Sequence, residues 1–284
     1  MHSLMTETFR INNRRYLGNK YKLREFIRGV VDSECRNWEV FADIFAGTGA
    51  VASAFTDRTV VTNDILYSNY LCNVAWFGCE PYREEVISEF VQRYNSISCS
   101  EENYMTENFA DTYFQRSDCA KIGYIREDIE KSFQNRTISE RERALLITAL
   151  LYAMDRIANT CGHYDAYRKN ASFERTLELQ LPLANVENNL DNQCFHADAN
   201  ELVTRIQADL VYLDPPYNSR QYCDAYHLLE NVACWQKPEV FGVARKMDRK
   251  HLKSRYCTQS ATEAFRDLVQ KKFEQNIYYF HTII

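Results

Sequence analysis

Apolar residues along this chain follow two rhythms. Short β-rich runs, EVFADIF from Glu39, TVVTNDI from Thr59 to Ile65, QCFHAD from Gln193 to Asp198 and LVYLD from Leu210 to Asp214, read as strands. Elsewhere the period is helical. RERALLITALLYAMDRIA, Arg141 to Ala158, is apolar around most of its circumference and predicts a buried helix, whereas EEVISEFVQRYNSI predicts an amphipathic one. After Tyr222, AYHLLENVACW reads as helix, KPEVFGVARKMDRKHLKSRYCTQS as a basic loop, ATEAFRDLVQKKFEQ as a capped helix and NIYYFHTII as a last strand.

Apolar strands separated by helices predict a doubly wound α/β fold, a parallel sheet covered on both faces. The stretch from Ala75 to about Asn192 is too long for one crossover. It reads as an inserted helical subdomain, 75–192, within a sheet domain formed by 1–74 and 193–284.

Composition narrows the function. At 284 residues, 45% apolar and 26% charged, the chain can bury a sizeable core. No apolar run approaches the ~18 residues of a membrane span, and MHSLMTETFR lacks a charged segment followed by an apolar one. A cytoplasmic protein without membrane association is therefore expected. The ten cysteines are scattered with no CxxC pair, so they read as free thiols, and no metal-ligand spacing is present.

A net charge of −5 argues against a nucleic-acid partner until its distribution is considered. From Arg10 to Arg28 seven basic residues face Glu25 alone, and from Arg245 to Arg255 six face only Asp248. Gripping phosphates requires a positive face, not a positive total. Two solvated charge runs are the plainer reading of the same stretches.

FAGTG, Phe45 to Gly49, stands at the first strand-to-helix turn, with AVASAF as the helix that follows. Glycines there let a ligand approach the backbone, and a helix N-terminus offers free N–H groups. Asp64 ends the second strand, where a carboxylate can accept from ribose hydroxyls; Asp198 ends QCFHAD, where it can accept from a nucleoside amine. Capping the next helix is the alternative role of each.

The most specific stretch is DPPY, Asp214 to Tyr217, which holds two of only five prolines. Two prolines build a rigid turn, and at a strand end it aims Asp214 and the Pro215 carbonyl at one point in the crevice. Such paired acceptors take both protons of an exocyclic amine and raise the electron density on its nitrogen. Tyr217 is suited to stack on the ring that carries the amine.

These residues resemble the D12, or Dam-like, class of adenine-N6 DNA methyltransferases, and in particular modification methylases of the FokI and NlaIII type. The resemblance implies a Rossmann-like methyltransferase sheet with an inserted helical DNA-recognition subdomain, S-adenosylmethionine as cofactor, and double-stranded DNA as substrate. It implies a catalytic turn of Asp214, Pro215, Pro216 and Tyr217. It assigns Phe45, Gly47 and Gly49 to the methionine part of the cofactor, Asp64 to its ribose and Asp198 to its adenine. RRYLGNKYKL resembles the family's opening motif and places Tyr16 and Lys20 near the cofactor.

By the same resemblance Arg14, Arg15 or Lys22 faces DNA, and NTCGHYDAYRKN, Asn159 to Asn170, with His163 and Tyr164, is a candidate DNA-reading loop, a plain surface loop being the alternative. Arg220, Tyr222, Tyr226 and His227 are candidates to brace the extruded base. Relatives continue past the strand matching NIYYFHTII, so the resemblance also implies a sheet short of its C-terminal strands. A restriction endonuclease acting on the same site, without a stable complex, is the implied partner. The competing readings are a ribosomal RNA base methyltransferase and a catalytically impaired remnant that still binds DNA.

Overall fold

Alternation of side chains along the strands determines how this molecule is layered. The computed structural model describes residues 9–11, 14–169, 172–184, 191–273 and 278–281. Strands β2 (Val40–Asp43), β3 (Thr59–Asn63), β5 (Gln193–Phe195), β6 (Leu210–Leu213) and β7 (Tyr278–His281) form one sheet in the order β5-β3-β2-β6-β7. Every pairing in it is parallel. Phe41, Val60, Leu210 and Tyr212 point to one buried cluster, while their neighbours Ala42, Val61, Val211 and Leu213 point to another. Both faces are therefore covered, as the continuous apolar runs require.

The second cluster lies under α7 (Ala199–Leu202) and α10 (Ala261–Phe273). The first lies under α1 (Arg24–Glu34) and α2 (Tyr67–Phe77), and it extends without interruption into the helical segment. That segment comprises α3 (Glu84–Ser96), α4 (Tyr104–Phe109), α5 (Arg116–Gln134) and α6 (Glu140–Ile157). A capping box at Ser139 and Glu142 starts α6, whose residues from Arg141 to Met154 are all buried. Helix α6 packs on α2, α3 and α5, so the helices share one core with the sheet. A short antiparallel pair, β1 (Phe9–Arg10) with β4 (Leu183–Ala184), ties the chain's start to the end of this segment.

Helices α8 (Tyr222–Ala225) and α9 (His227–Cys234) follow the DPPY turn. Both carboxylate oxygens of Glu230 on α9 accept the first N–H groups of α2, from Tyr67 and Ser68, at 2.8 Å each. A helix N-terminus leaves those donors without intrahelical partners, and a buried carboxylate satisfies donors and dipole together. Among the described residues no helix is long and apolar enough to cross a membrane.

One predicted element differs. AVASAF is a tight turn followed by a single 3-10 turn, Ala52–Phe55, instead of an α-helix. The buried Phe55 stacks on Phe41 at 3.9 Å, and Arg28 bonds Asp57 and the Ala54 carbonyl. Those contacts hold the segment close to the sheet, and the chain re-enters it at Thr59 before a second helical turn can form.

Candidate active site

The predicted motifs meet at the carboxyl ends of β2, β3 and β6, in one cleft of about 920 Å³ including its open mouth. Tyr16, Lys20, Phe45, Gly47, Asp64, Asp198, Asp214, Pro216 and Tyr222 all line it. The acidic strand ends and the glycine turn are thus neighbours in space although as many as 171 positions separate Asp43 from Asp214 in the chain.

Gly47 adopts φ +53°, and a Cβ there would lie 3.2 Å from the Tyr16 ring. The missing side chain lets the opening motif fold down on the turn. Asp64 holds the turn from the other side: Oδ2 accepts the Gly47 N–H at 2.9 Å and Oδ1 accepts the Leu66 N–H at 2.8 Å. Burial pushes its carboxyl up to about 6. Tyr16 stacks on Tyr226 at 4.6 Å, and its hydroxyl accepts from Asn69.

Gly49 has a different job from the one its motif implies. It is not among the cleft-lining residues, and at φ +77° it faces α2, where a Cβ would lie 2.7 Å from Asn73 Oδ1 and 2.8 Å from Phe77. Gly49→Ala should therefore lose roughly 3 kcal/mol in urea unfolding, combining left-handed strain with overpacking. Gly29→Ala, on α1 with nothing near its Cβ position, should instead gain about 0.5–1 kcal/mol.

At the reacting end, Lys20 Nζ lies 2.7 Å from Asp214 Oδ2 and donates to the Gly18 carbonyl at 3.0 Å. Tyr217 is 67% exposed, so its ring stands at the mouth, with Lys20 Nζ 5.8 Å from its centroid. Tyr222 donates to the Leu17 carbonyl at 3.2 Å, which joins the opening motif to the segment after DPPY. Asp198 caps α7 through the Asn200 N–H at 2.9 Å and also lines the cleft.

Three predicted DNA contacts are corrected by burial. Arg14 is 3% exposed and paired with Asp155 at 3.2 Å. Although burial works against its charge, Asp155 and the surrounding polar rings more than offset this and keep the guanidinium protonated. Tyr164 is buried and donates to Asp155 at 2.8 Å. His227 is fully buried against the Tyr164 carbonyl at 2.8 Å, and burial pushes its pKa down to about 4. All three brace the core beneath the 159–169 loop and are out of reach of DNA. Tyr226 is buried as well, its hydroxyl accepting the Leu17 N–H. Arg15 and Arg220 are exposed, and His163 is half-buried beside Asp165 at 3.4 Å. Asn170 lies outside the described residues.

Two contributors went unpredicted. Asp43, at the end of β2, lines the cleft; its signal was a carboxylate inside an apolar strand immediately before the glycine turn. Leu252, Ser254 and Tyr256, from the basic loop, form another wall. Ser254 and Gln221 bond each other twice, and Tyr256 meets Phe45 edge to face at 5.0 Å. No local pattern marks that wall, because long-range contacts alone bring it over the sheet.

A parallel sheet whose strand ends bring a glycine turn, acidic residues and a rigid DPPY turn into one cleft has its ligand site in the crevice where open α/β sheets bind nucleotides. The chain belongs to the D12 class N6 adenine-specific DNA methyltransferases, whose family model matches residues 16–283. It is 35% identical to the modification methylase StsI of Streptococcus sanguinis, over 90% of this chain and 42% of that protein. It is 31% identical to the modification methylase LlaI of Lactococcus lactis subsp. lactis, over 90% of this chain and 44% of that protein. With the type II methyltransferase M.NlaIII of Neisseria lactamica it shares 32% identity over 86% of this chain and 76% of that protein. The chain thus spans less than half the length of StsI and LlaI.

Proposed function

We propose that this chain transfers the methyl group of S-adenosylmethionine to N6 of adenine in double-stranded DNA, within a restriction–modification system. The observation that carries this is the cleft, which gathers Asp214, Pro216, Asp64 and the Gly47 turn at the ends of adjacent parallel strands. A Cβ at Gly47 or Gly18 would press on Tyr16 or Tyr222, so the two glycines let these rings close over the cleft. Asp43 Oδ1, buried in the same cleft, has no hydrogen-bond partner among the described residues, which suits a ligand carrying polar donors.

The cofactor supplies an electrophilic methyl group on a sulfonium. The chain's own residues do the rest. Asp214 and the Pro215 carbonyl accept the two protons of the adenine amine and orient its lone pair. Tyr217, exposed at the mouth, offers a stacking surface to a base extruded from the duplex, which helps offset the few kcal/mol that extrusion costs. Lys20, against Asp214, holds that carboxylate in place before substrate arrives.

Exposed basic residues cluster in sequence around cleft-lining ones: Arg15 beside Tyr16, Arg220 near Tyr222, Lys250 and Lys253 around Leu252. This positive rim is the phosphate-binding face, and segment 75–192 supplies the base reader. A restriction endonuclease of the same specificity is the expected counterpart, with no stable complex required. Arg220→Gln and Lys253→Gln should each weaken DNA binding and lower the slope of log K against log salt by about 0.9, with unchanged cofactor affinity. Incubation with methyl-labelled S-adenosylmethionine and either unmethylated duplex DNA or RNA tests the reading. Label on DNA is expected; label on RNA alone, or on neither, overturns it.

A further inference from the structure

Helix α2 starts without a cap of its own. Its N-cap residue is Leu66, whose side chain accepts nothing, and the Tyr67 and Ser68 N–H groups that follow are received by the two oxygens of Glu230 at 2.8 Å each. Glu230 lies 163 and 162 positions further along the chain, on α9, and is 1% exposed. The donor just before them, the Leu66 N–H, is received by Asp64 Oδ1 at 2.8 Å. Three consecutive N–H groups are thus divided between two carboxylates, and the position of this first turn decides where Asp64 points.

We propose that Glu230 is a positioning residue for cofactor binding: by fixing the first turn of α2 it holds Asp64 in the orientation that receives the ribose hydroxyls of S-adenosylmethionine. The inference rests on the cofactor assigned above. Asp64 accepts the Gly47 N–H at Oδ2 and the Leu66 N–H at Oδ1, so its remaining lone pairs are aimed by two backbone donors, one on the glycine turn and one at the start of α2. The same turn of α2 carries Asn69, which donates to the Tyr16 hydroxyl at 2.8 Å, so a shift there reaches a second cleft residue. Glu230 does not line the cleft and acts through α2.

Helix α9 is a firm platform for this contact because both of its ends are fixed. Tyr226, just before its first residue, accepts the Leu17 N–H at 2.7 Å, and the buried Arg126 of α5 donates to the Val232 and Ala233 carbonyls at 2.7 and 3.2 Å. A local serine or aspartate would cap α2 as well as far as helix stability goes. A carboxylate from α9 also fixes where the helix starts relative to the segment that follows DPPY. Its two equivalent oxygens are needed: glutamine offers one acceptor and turns its NH₂ group on the second N–H.

Equilibrium titration with S-adenosylhomocysteine tests this. Glu230→Gln should bind it about tenfold more weakly, while the single-turnover rate at saturating S-adenosylmethionine stays within about threefold of wild type. Asp64→Asn should also lose about tenfold or more. The double variant decides between positioning and general support: if Glu230 acts through Asp64, adding Glu230→Gln to Asp64→Asn should weaken binding by no more than about twofold. Losses that multiply to about a hundredfold, a saturated rate that falls as far as the affinity, or unchanged affinity in Glu230→Gln overturn the proposal. Should Glu230→Gln fail to fold, amide hydrogen exchange of the wild-type protein decides. Ligand should slow Tyr67 and Ser68 together with Leu66, and slowing of Leu66 alone overturns the proposal. Absence of saturable binding by wild type, or wild-type affinity in Asp64→Asn, overturns the cofactor reading instead.

Discussion

Replacing Asp214 by alanine should lower the rate of methyl transfer by about 10²–10³-fold, or about 3–4 kcal/mol of transition-state stabilisation. The side chain lies in the cleft at the end of β6, and its partner is the Lys20 ammonium. In the proposed mechanism its loss removes one of two acceptors that orient the amine. It also leaves Lys20 without its counter-ion, placing a positive charge where electron density is needed. Asp214→Asn should retain some activity, since the amide oxygen can still accept, but its NH₂ competes with the substrate amine for orientation. The pair is largely withdrawn from solvent, so urea unfolding of each variant is measured beside its rate to separate lost chemistry from lost stability. Single-turnover rates, compared with cofactor affinity from equilibrium titration, separate chemistry from binding. Full activity in Asp214→Ala contradicts the mechanism.

The second large effect falls on stability. Arg14→Met removes the guanidinium that neutralises Asp155 in the interior, and breaking such a pair from one side costs about 3–5 kcal/mol. Asp155 accepts the Tyr164 hydroxyl, and Tyr164 receives the His227 ring through its carbonyl, so the loss spreads beneath the 159–169 loop. The double variant Arg14→Met with Asp155→Asn should recover much of that stability, because Asn can still accept from Tyr164 and no bare charge remains. Urea unfolding midpoints measure both. If Arg14 were a phosphate contact, the single variant would instead keep its stability and lose salt-sensitive DNA affinity.

These two residues show which properties of the chain could be read from sequence. The place of Asp214 in the cleft was legible because it depends on local features: an apolar strand, a rigid proline turn and an aromatic, all within eight residues from Leu210 to Tyr217. The same holds for Phe45, Gly47 and Asp64, each at a strand end where a parallel sheet exposes its ligand-binding edge. Arg14 was misread because basic residues in a run look alike until tertiary contacts separate them. In the structure Arg14 is buried on Asp155, Lys20 meets Asp214, and Arg28 clamps Asp32 and Asp57, while Arg15 and Lys22 remain exposed. His227 and Tyr164 were misread for the same reason, as polar residues in polar-looking stretches that the fold turns inward.

Helix boundaries followed similar logic. Arg141 to Ala158 has a circumference that only burial explains, and it is buried throughout nearly all of its length. AVASAF has helical composition, yet the stacking of Phe55 on Phe41 and the Arg28 contacts pull it into one 3-10 turn. The wall formed by Leu252, Ser254 and Tyr256 belongs to a loop whose contacts with Gln221, Phe45 and Asn200 are all distant in sequence.

The central claim is that DPPY activates an exocyclic amine of adenine. Its most direct test is to react unmethylated duplex DNA with the protein and S-adenosylmethionine, digest the product to nucleosides, and identify the methylated one by mass and retention. The account predicts N6-methyl-2′-deoxyadenosine, absent from the Asp214→Ala reaction. Methylation confined to cytosine would contradict it.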